Sequence, residues 1–398
     1  MPLQLVTSRA LVDGTGRPPV RNGVLLLKDG VIERAGSPEE IGALPSAVEK
    51  IDLRDEYVLP GLIDCHTHLS IVPAQGDQLA QLRLPATTSL LRSIPNLHRN
   101  LDSGVTTMRI MGQEHYIDID LKKAIDQKLI LGPRLLVSGI GLVASNGHGV
   151  AITVADGEDE IIKLARRNLA KGADFLKLFV TGGMSSATTS VDFCGYTPRE
   201  IAAAVEEARR AGTYVATHAH GGRGLDLCIE EGVRTIEHGA FVTPEQLDRM
   251  MKKDMWIIGT FSIAFHPEGI EKTDFKVPEI REKVLKAREV VAKNFQAVIK
   301  SGVNLAVGTD SMHGLIGYEL ECLVNFGASP MQAILAATQH AARACRIDDT
   351  VGTLEKGKKA DFVAVRGDPL EDIRHLRHVD YVCKEGERVR GDPGGSSR

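Results

Sequence analysis

The short sequence His66-Thr67-His68 lies at the end of an apolar run, PGLIDCHTHL, which has the composition of a buried strand. Because side chains alternate across a strand, both imidazoles point to the same side. Two neutral ring nitrogens placed in this way converge on one metal ion. A His-x-His pair alone is equally compatible with packing or surface histidines, so the hypothesis of a metal site depends on other residues of the chain.

Lys177 is the second residue that could take part in chemistry, because it lies between apolar neighbours in FLKLFV. A bare ammonium buried there would face a large desolvation penalty. Burial lowers the pKa of a lysine, and its free amine can add carbon dioxide to become a carbamate, whose two oxygens bridge two cations. The alternative is a lysine whose stem packs inside while its head reaches solvent. With histidines at the neighbouring strand ends, we favour the carbamate.

Eight apolar runs, each followed by a segment with helical periodicity, must position these residues. The runs are LIDCHTH, TTMRIMG, RLLVSG, FLKLFVTG, YVATHAH, TIEHGA, WIIGTFS and LAVGTDS. Their alternation with helices predicts an α/β fold in which residues 58–350 form a (β/α)8 TIM-type barrel. Helix starts with capping boxes are predicted at Thr197, Thr243 and Ser329.

The two ends of the chain interrupt this repeat. Residues 1–57 and 351–391 carry short β-like runs. They predict one small β-sandwich domain assembled from both termini, whereas residues 392–398 are expected to be a disordered tail. Turns are predicted at Asp13-Gly14, Asn22-Gly23 and Asp29-Gly30.

In a barrel of this kind, the reacting groups sit at the carboxyl ends of the strands. Six residues of ligand type occupy five such ends or lie in the strand itself: His66, His68, Lys177, His218, His238 and Asp310. The sequence therefore predicts a metal centre above the barrel.

With these residues the chain resembles the amidohydrolase superfamily. The resemblance is to the imidazolonepropionase-like and prolidase-like branch, which includes Xaa-Pro dipeptidases and metal-dependent carboxypeptidases. The resemblance covers nearly the whole length. It is carried, in order, by PGLIDCHTHL, GVTTMRIMG, GPRLLVSG, GADFLKLFVTGG, VATHAHG, GVRTIEHG, GTDS and GTLEKGKKADFVAV.

The resemblance implies a role for each predicted ligand. His66 and His68 would bind the more buried metal, and Asp310 would complete that position. His218 and His238 would bind the more exposed metal, and Lys177 as a carbamate would bridge the two. Two divalent cations lower the pKa of a shared water and polarise a carbonyl, and Asp310 would carry the proton from that water to the leaving amine. Zinc is the first choice of metal, although manganese, cobalt and iron also suit these ligands.

Four further residues are candidates for substrate binding: His148, His220, Tyr196 and Arg109. Each also has an ordinary structural alternative, in packing or in hydrogen bonds within the protein. Two departures from the relatives concern the same part of the site. Ile110 stands where relatives often have Asp, and the loop that follows His148 is short.

The predicted function is hydrolysis of the amide bond of a small substrate, such as a dipeptide or an N-acyl amino acid. One alternative is a mononuclear deaminase or cyclic-amide hydrolase. Such enzymes lack the bridging lysine and usually carry a Glu soon after the strand-five histidine, where this chain reads HAHGG. A second alternative is an inactive scaffold, since a fold alone does not guarantee activity.

Composition limits the other classes. The chain has 398 residues, 43% hydrophobic and 25% charged, with a net charge of -4, which disfavours nucleic acid and anionic membranes as partners. No signal-like start or membrane-length apolar run is present. Six scattered cysteines without C-x-x-C spacing suit a reducing compartment. We therefore expect a cytoplasmic enzyme, and the resemblance favours a homo-oligomer.

Overall fold

The computed structural model describes residues 3–42, 48–75, 78–184, 190–273 and 278–391. The predicted tail, residues 392–398, lies outside the described residues. By packing, the chain divides into two compact units, which are described separately. The first comprises Met1–Asp64, His98–Thr107 and Gly314–Arg398, and the second comprises Cys65–Leu97 and Met108–His313.

Strands and helices alternate through most of the chain. The strands are β1 (Gln4–Leu11), β2 (Val20–Arg21), β3 (Val24–Lys28), β4 (Val31–Gly36), β5 (Glu49–Pro60), β6 (Leu62–Thr67), β7 (Val105–Ile110), β8 (Arg134–Val137), β9 (Leu142–Val143), β10 (Leu176–Phe179), β11 (Val215–Ala219), β12 (Thr235–His238), β13 (Trp256–Gly259), β14 (Asn304–Val307), β15 (Phe362–Val365), β16 (Tyr381–Lys384) and β17 (Glu387–Arg390). The helices are α1 (Pro38–Ile41), α2 (Gln78–Gln81), α3 (Ala86–Asp102), α4 (Ile117–Asp126), α5 (Gly157–Lys171), α6 (Pro198–Arg210), α7 (Gly222–Glu231), α8 (Pro244–Lys252), α9 (Ser262–Phe265), α10 (Ile270–Thr273), α11 (Pro278–Ser301), α12 (Ile316–Asn325), α13 (Pro330–Ala336) and α14 (Gln339–Ala344).

In the first unit, strands from both chain ends join one eight-stranded sheet. Its order is β17-β16-β15-β5-β1-β3-β4, and β2 pairs with β1. The two ends meet where β15 runs antiparallel to β5, with Phe362 opposite Pro60. Both faces of β3 are buried: Leu25 and Leu27 pack in one apolar cluster, and Val24 and Leu26 in another. This burial on alternate sides holds the register of the sheet.

The predicted turns in this unit are formed by backbone that favours Asn, Asp and Gly. Asp29 and Gly30 have φ of 51° and 77°, and they connect Lys28 to its partner Val31 across β3 and β4. Two positive φ angles in a two-residue loop define the type I′ hairpin turn. Asn22, with φ of 50°, occupies the preceding turn.

The second unit is α/β. Six strands form a sheet in the order β14-β13-β12-β11-β10-β9, and every neighbouring pair in it is parallel. A three-stranded sheet has the order β6-β7-β8. All eight predicted runs are strands, and β9 is an addition. Over the described residues the hydrogen bonds define three separate sheets, so the closed barrel and the two-layered terminal domain stay predictions.

The three predicted capping boxes are confirmed. Thr197, Thr243 and Ser329 each accept a hydrogen bond from the backbone N–H three residues on, and each is followed by Pro at the first helical turn. On α6 the apolar stripe that includes Ile201 and Ala204 is buried, as a helix packed on a parallel sheet requires.

Two findings concern the cysteines and the possibility of membrane-spanning helices. All six cysteines are free, and five are buried. Among the described residues, no helix combines the length and the apolar character that crossing a bilayer requires.

We expect Thr243→Ala to lower the free energy of unfolding by about 1 kcal/mol, because the N-terminal N–H groups of α8 lose their side-chain acceptor. Thermal or urea unfolding of the two proteins measures the difference. The control is Thr88→Ala at an exposed position of α3, which should change stability by no more than about 0.5 kcal/mol. Equal effects of the two substitutions would contradict a capping role.

Candidate metal centre

The carboxyl ends of β6, β12 and β14 bring three predicted ligands together. Ligand atoms of His66, His238 and Asp310 lie within 4.8 Å of one another. Asp310 Oδ1 is 3.5 Å from His66 Nε2 and 3.8 Å from His68 Nε2. A carboxylate and three imidazoles at such distances are a donor set for a divalent cation.

His218, at the end of β11, extends this cluster to the neighbouring strand. Its ring centroid is 4.7 Å from that of His238, 4.5 Å from that of His148 and 4.8 Å from that of His220. The His220 ring is stacked on His238 at 5.0 Å. Six histidines and Asp310 therefore surround one region of the second unit.

The backbone at two of these ligands has a conformation that L-residues rarely adopt. His238 and Asp310 have φ of 71° and 48°, and such angles are concentrated at functional sites. The Asp310 N–H donates to the His66 carbonyl over 2.7 Å. Gly308 permits this approach, since a Cβ there would lie 2.4 Å from His66 N. Gly308, the Gly of GTDS, is therefore required because its backbone packs closely against the backbone of His66.

Hydrogen bonds assign the donor nitrogen of three rings. A carbonyl or ionised carboxylate oxygen can only accept, so the ring nitrogen bonded to it carries the hydrogen and the other nitrogen keeps its lone pair. His66 Nδ1 donates to Glu237 Oε2 over 2.7 Å. The partners of the other rings are Gly112 O for His68 Nδ1 at 3.4 Å, Gly182 O for His218 Nε2 at 3.3 Å and Thr260 Oγ1 for His238 Nδ1 at 2.7 Å.

Burial keeps His68, His218 and His238 neutral. It lowers the pKa of His68 to about 3, a shift that Asp310 partly opposes. Burial, followed by the neighbouring imidazoles and Lys177, also lowers the pKa of His218 and His238 well below the usual value. Neutral imidazole is the form that binds metals.

Lys177, on β10, is fully buried, and among the described residues no hydrogen-bond acceptor reaches its Nζ. Nζ lies 4.7 Å from the centroid of the Phe179 ring. Burial lowers the pKa of Lys177 to about 8, against the opposing effect of the Glu237 and Asp310 carboxylates. A buried polar atom without a partner needs an explanation, and a carbamate that reaches metal ions would supply one.

Glu237 was missed in the sequence analysis. It is fully buried and forms a two-oxygen ion pair with Arg109, whose NH2 donates over 2.8 and 3.0 Å. Burial alone would raise the pKa of Glu237, but Arg109 and the His66 N–H together lower it to about 2. The signal was present in TIEHGA, because a Glu inside an otherwise buried strand requires a charged partner.

A pocket opens at this cluster. Its polar wall includes His148, His220 and Gln78. Its apolar wall is formed by Ile71, Leu82, Phe179, Met184, Ile263 and Ile270. A pocket with one polar and one apolar wall suits a small organic substrate.

The other two predicted substrate contacts, Tyr196 and Arg109, make contacts within the protein. Tyr196 is buried, and its hydroxyl donates to Ala155 O over 3.0 Å. Arg109 is fully buried, and its Nε donates to Cys65 O over 2.6 Å. The structure thus brings His148 and His220 to the pocket and gives Tyr196 and Arg109 intramolecular partners.

Comparisons with known proteins agree on one family. The family model described as "Amidohydrolase family" matches residues 57–389. An ochratoxinase from Aspergillus niger is 28% identical over 98% of this chain and 87% of its own. An imidazolonepropionase from Ralstonia nicotianae is 25% identical over 98% and 97%. A crystal structure of a Xaa-Pro dipeptidase with methionine bound in its active site is 30% identical, with a TM-score of 0.87, and covers 98% of this chain and 100% of that one.

We expect Lys177 to make the metal-free protein gain stability as pH rises. Its folded pKa of about 8 lies below the ordinary 10.5, so between these values the unfolded chain binds the proton that the folded chain has lost. In CO2-free buffer, wild type should gain on the order of 3 kcal/mol more than Lys177→Met from pH 8 to 10.5.

Urea unfolding of both proteins over this pH range measures the difference. The control is Lys163→Met at an exposed position, which should keep the wild-type pH dependence. Parallel curves for wild type and Lys177→Met would show that the side chain at position 177 is not buried as an amine.

Proposed function

The chain belongs to the amidohydrolase family, in its prolidase-like branch, and is a hydrolase that acts on C–N bonds. From this premise we propose that it is a binuclear enzyme that cleaves the amide bond of a small substrate, such as a dipeptide or an N-acyl amino acid. The observation that carries the proposal is Lys177, buried beside the histidines with no hydrogen-bond acceptor on Nζ among the described residues.

The side chains fit the two cations. The lowered pKa of Lys177 makes its amine available near neutral pH, where Nζ forms an N–C bond with carbon dioxide and releases one proton. The resulting anion provides two oxygens beside neutral imidazoles. His66, His68 and Asp310 would hold one cation, His218 and His238 would hold the other, and the Lys177 carbamate would serve both. These ligand types suit zinc first.

When bound, two such cations supply a water of lowered pKa and polarise the substrate carbonyl. The chain itself supplies the proton transfer. Burial would raise the pKa of Asp310, but the neighbouring His66, His68 and Lys177 lower it to about 2. Asp310 is therefore ionised at neutral pH. It accepts a proton from the attacking water on a carboxylate oxygen and passes it to the nitrogen of the leaving amine.

The apolar and polar walls of the pocket recognise different parts of the substrate. The apolar side chains surround the aliphatic or aromatic part of the substrate and exclude water from it. The imidazoles of His148 and His220, which line the pocket, form hydrogen bonds with its polar atoms. Tyr196 and Arg109 have no substrate role in this proposal.

The proposal also includes a closed barrel and a β-sandwich domain. The six-stranded and the three-stranded sheet form the wall of one (β/α)8 barrel, which is supported by the bonds from Asp310 N to His66 O and from Asp174 N to Val137 O, both 2.7 Å. The sheet built from both chain ends belongs to a β-sandwich, which is supported by the burial of both faces of β3.

A mononuclear enzyme is the competing function, and the imidazolonepropionase relative is the reason to consider it. It leaves Lys177 unexplained. A mononuclear enzyme would also need a carboxylate that is available to the substrate. Glu237, the buried carboxylate next to His238 in sequence, is already bonded to Arg109 and His66. We therefore retain the binuclear proposal.

We expect Lys177→Ala to bind fewer metal ions and to lose activity, because the bridging anion is removed. Wild type loaded with zinc in bicarbonate buffer should hold about two ions per chain and should hydrolyse members of a panel of Xaa-Pro dipeptides, other dipeptides and N-acyl amino acids. Acetate or propionate should partly restore the variant by occupying the emptied space.

Metal content by mass spectrometry and product release measure these effects. Lys163→Ala is the control and should match wild type. One zinc ion per wild-type chain would favour the mononuclear alternative, none would favour the inactive scaffold, and full activity of Lys177→Ala would exclude the carbamate.

We expect Asp310→Asn to keep most of the bound metal while turnover falls by about 10²–10⁴-fold, because an amide cannot carry the proton. Metal content and turnover number are measured on the same preparation. Asp248→Asn, at an exposed position on α8, controls for the loss of a carboxylate elsewhere. Wild-type turnover in Asp310→Asn would remove this residue from the proton transfer.

A further inference from the structure

The buried pair Arg109 and Glu237 has no part in the proposed proton transfer, although it lies directly against a metal ligand. Both side chains are completely buried. Glu237 Oε2 accepts from His66 Nδ1 over 2.7 Å, and the Arg109 guanidinium donates to both Glu237 oxygens. The charges balance each other, so the carboxylate remains ionised without solvent.

Hydroxyl and carbonyl groups fix the geometry of this pair. Thr235 Oγ1 donates to Glu237 Oε1 over 2.5 Å and accepts from Arg109 NH1 over 3.2 Å. Arg109 Nε donates to Cys65 O over 2.6 Å, next in sequence to His66. Because β6, β7 and β12 each supply a member, the carboxylate is held at a fixed distance from the His66 ring.

The four histidine ligands of the proposed site are supported unequally. His66 donates to an ionised carboxylate, whereas His68 and His218 donate to backbone carbonyls over longer distances, and His238 bonds a hydroxyl. A carboxylate partner fixes the tautomer of an imidazole and raises the basicity of its other nitrogen more than a neutral acceptor does. Nε2 of His66 faces Asp310, so the effect is directed into the site.

We propose that Arg109 and Glu237 are a charge-balanced positioning pair, which holds the His66 ring with Nε2 toward the site. The pair thereby makes the position shared by His66, His68 and Asp310 the tighter of the two metal positions. This inference rests on the proposed binuclear function. It changes the role of Arg109 from substrate contact to support of a ligand.

The test removes both charges together. In Arg109→Met/Glu237→Gln the buried volume is nearly kept and no charge is left unpaired, so the fold should persist by circular dichroism and cooperative melting. Zinc affinity is measured by competition with a chromophoric chelator, and ions per chain by mass spectrometry. We expect the tighter position to weaken by about 10–100-fold. Wild type should lose its zinc in two separate steps as chelator is added, and the double variant in one merged step.

Two further variants complete the test. Arg166→Met/Glu207→Gln removes an Arg–Glu pair with two bonds of 2.9 and 2.7 Å between α5 and α6, at the surface, and should keep the wild-type affinities. Thr235→Val keeps both charges and removes only the hydroxyl between them. It should weaken the tighter position several-fold, and it decides the matter if the double variant does not fold.

The outcomes separate the two proposals. Wild-type affinities in a folded Arg109→Met/Glu237→Gln protein, or in Thr235→Val, would overturn the positioning role while leaving the binuclear function in place. A wild-type chain that binds fewer than two zinc ions would overturn the binuclear function and this inference together.

Discussion

Charge buried among parallel strands is the constraint on which the rest of this structure depends. Arg109, Lys177 and Glu237 are all fully buried in the second unit, where an unpaired charge is too costly to keep. Arg109 and Glu237 neutralise each other. Lys177 has no hydrogen-bond acceptor among the described residues, so one positive charge must be lost or compensated. The carboxylation that we propose would turn that position from cationic to anionic, and the neutral histidines beside it could then share cations with it.

Much of this arrangement could be predicted from residue order. Strand alternation placed His66 and His68 together, and the repeated strand-helix pattern located the ends that carry His218, His238 and Asp310. The eight strands and the three capping boxes were predicted because hydrophobic periodicity and N-terminal capping are local properties. The residues of ligand type could be identified because they lie at the ends of these predicted strands.

What could not be predicted depends on contacts between distant segments. Arg109 was a candidate for substrate binding, because its partner Glu237, 128 positions away, cannot be identified from the sequence around either residue. Tyr196 was likewise only a candidate for substrate binding, since its acceptor, Ala155 O, lies in another loop. The left-handed backbone of His238 and Asp310 is likewise set by tertiary packing and not by these residue types.

The meeting of β14 with β6 has a consequence for how the protein matures. Ser311 and His68, which approach each other beside the site, are separated by 243 positions in the chain, and the Asp310 N–H bonds directly to the His66 carbonyl. Contacts of such long sequence separation form late and slowly. His66 and His68 therefore leave the ribosome long before Asp310, so a growing chain cannot assemble the full set of proposed ligands until synthesis has passed β14.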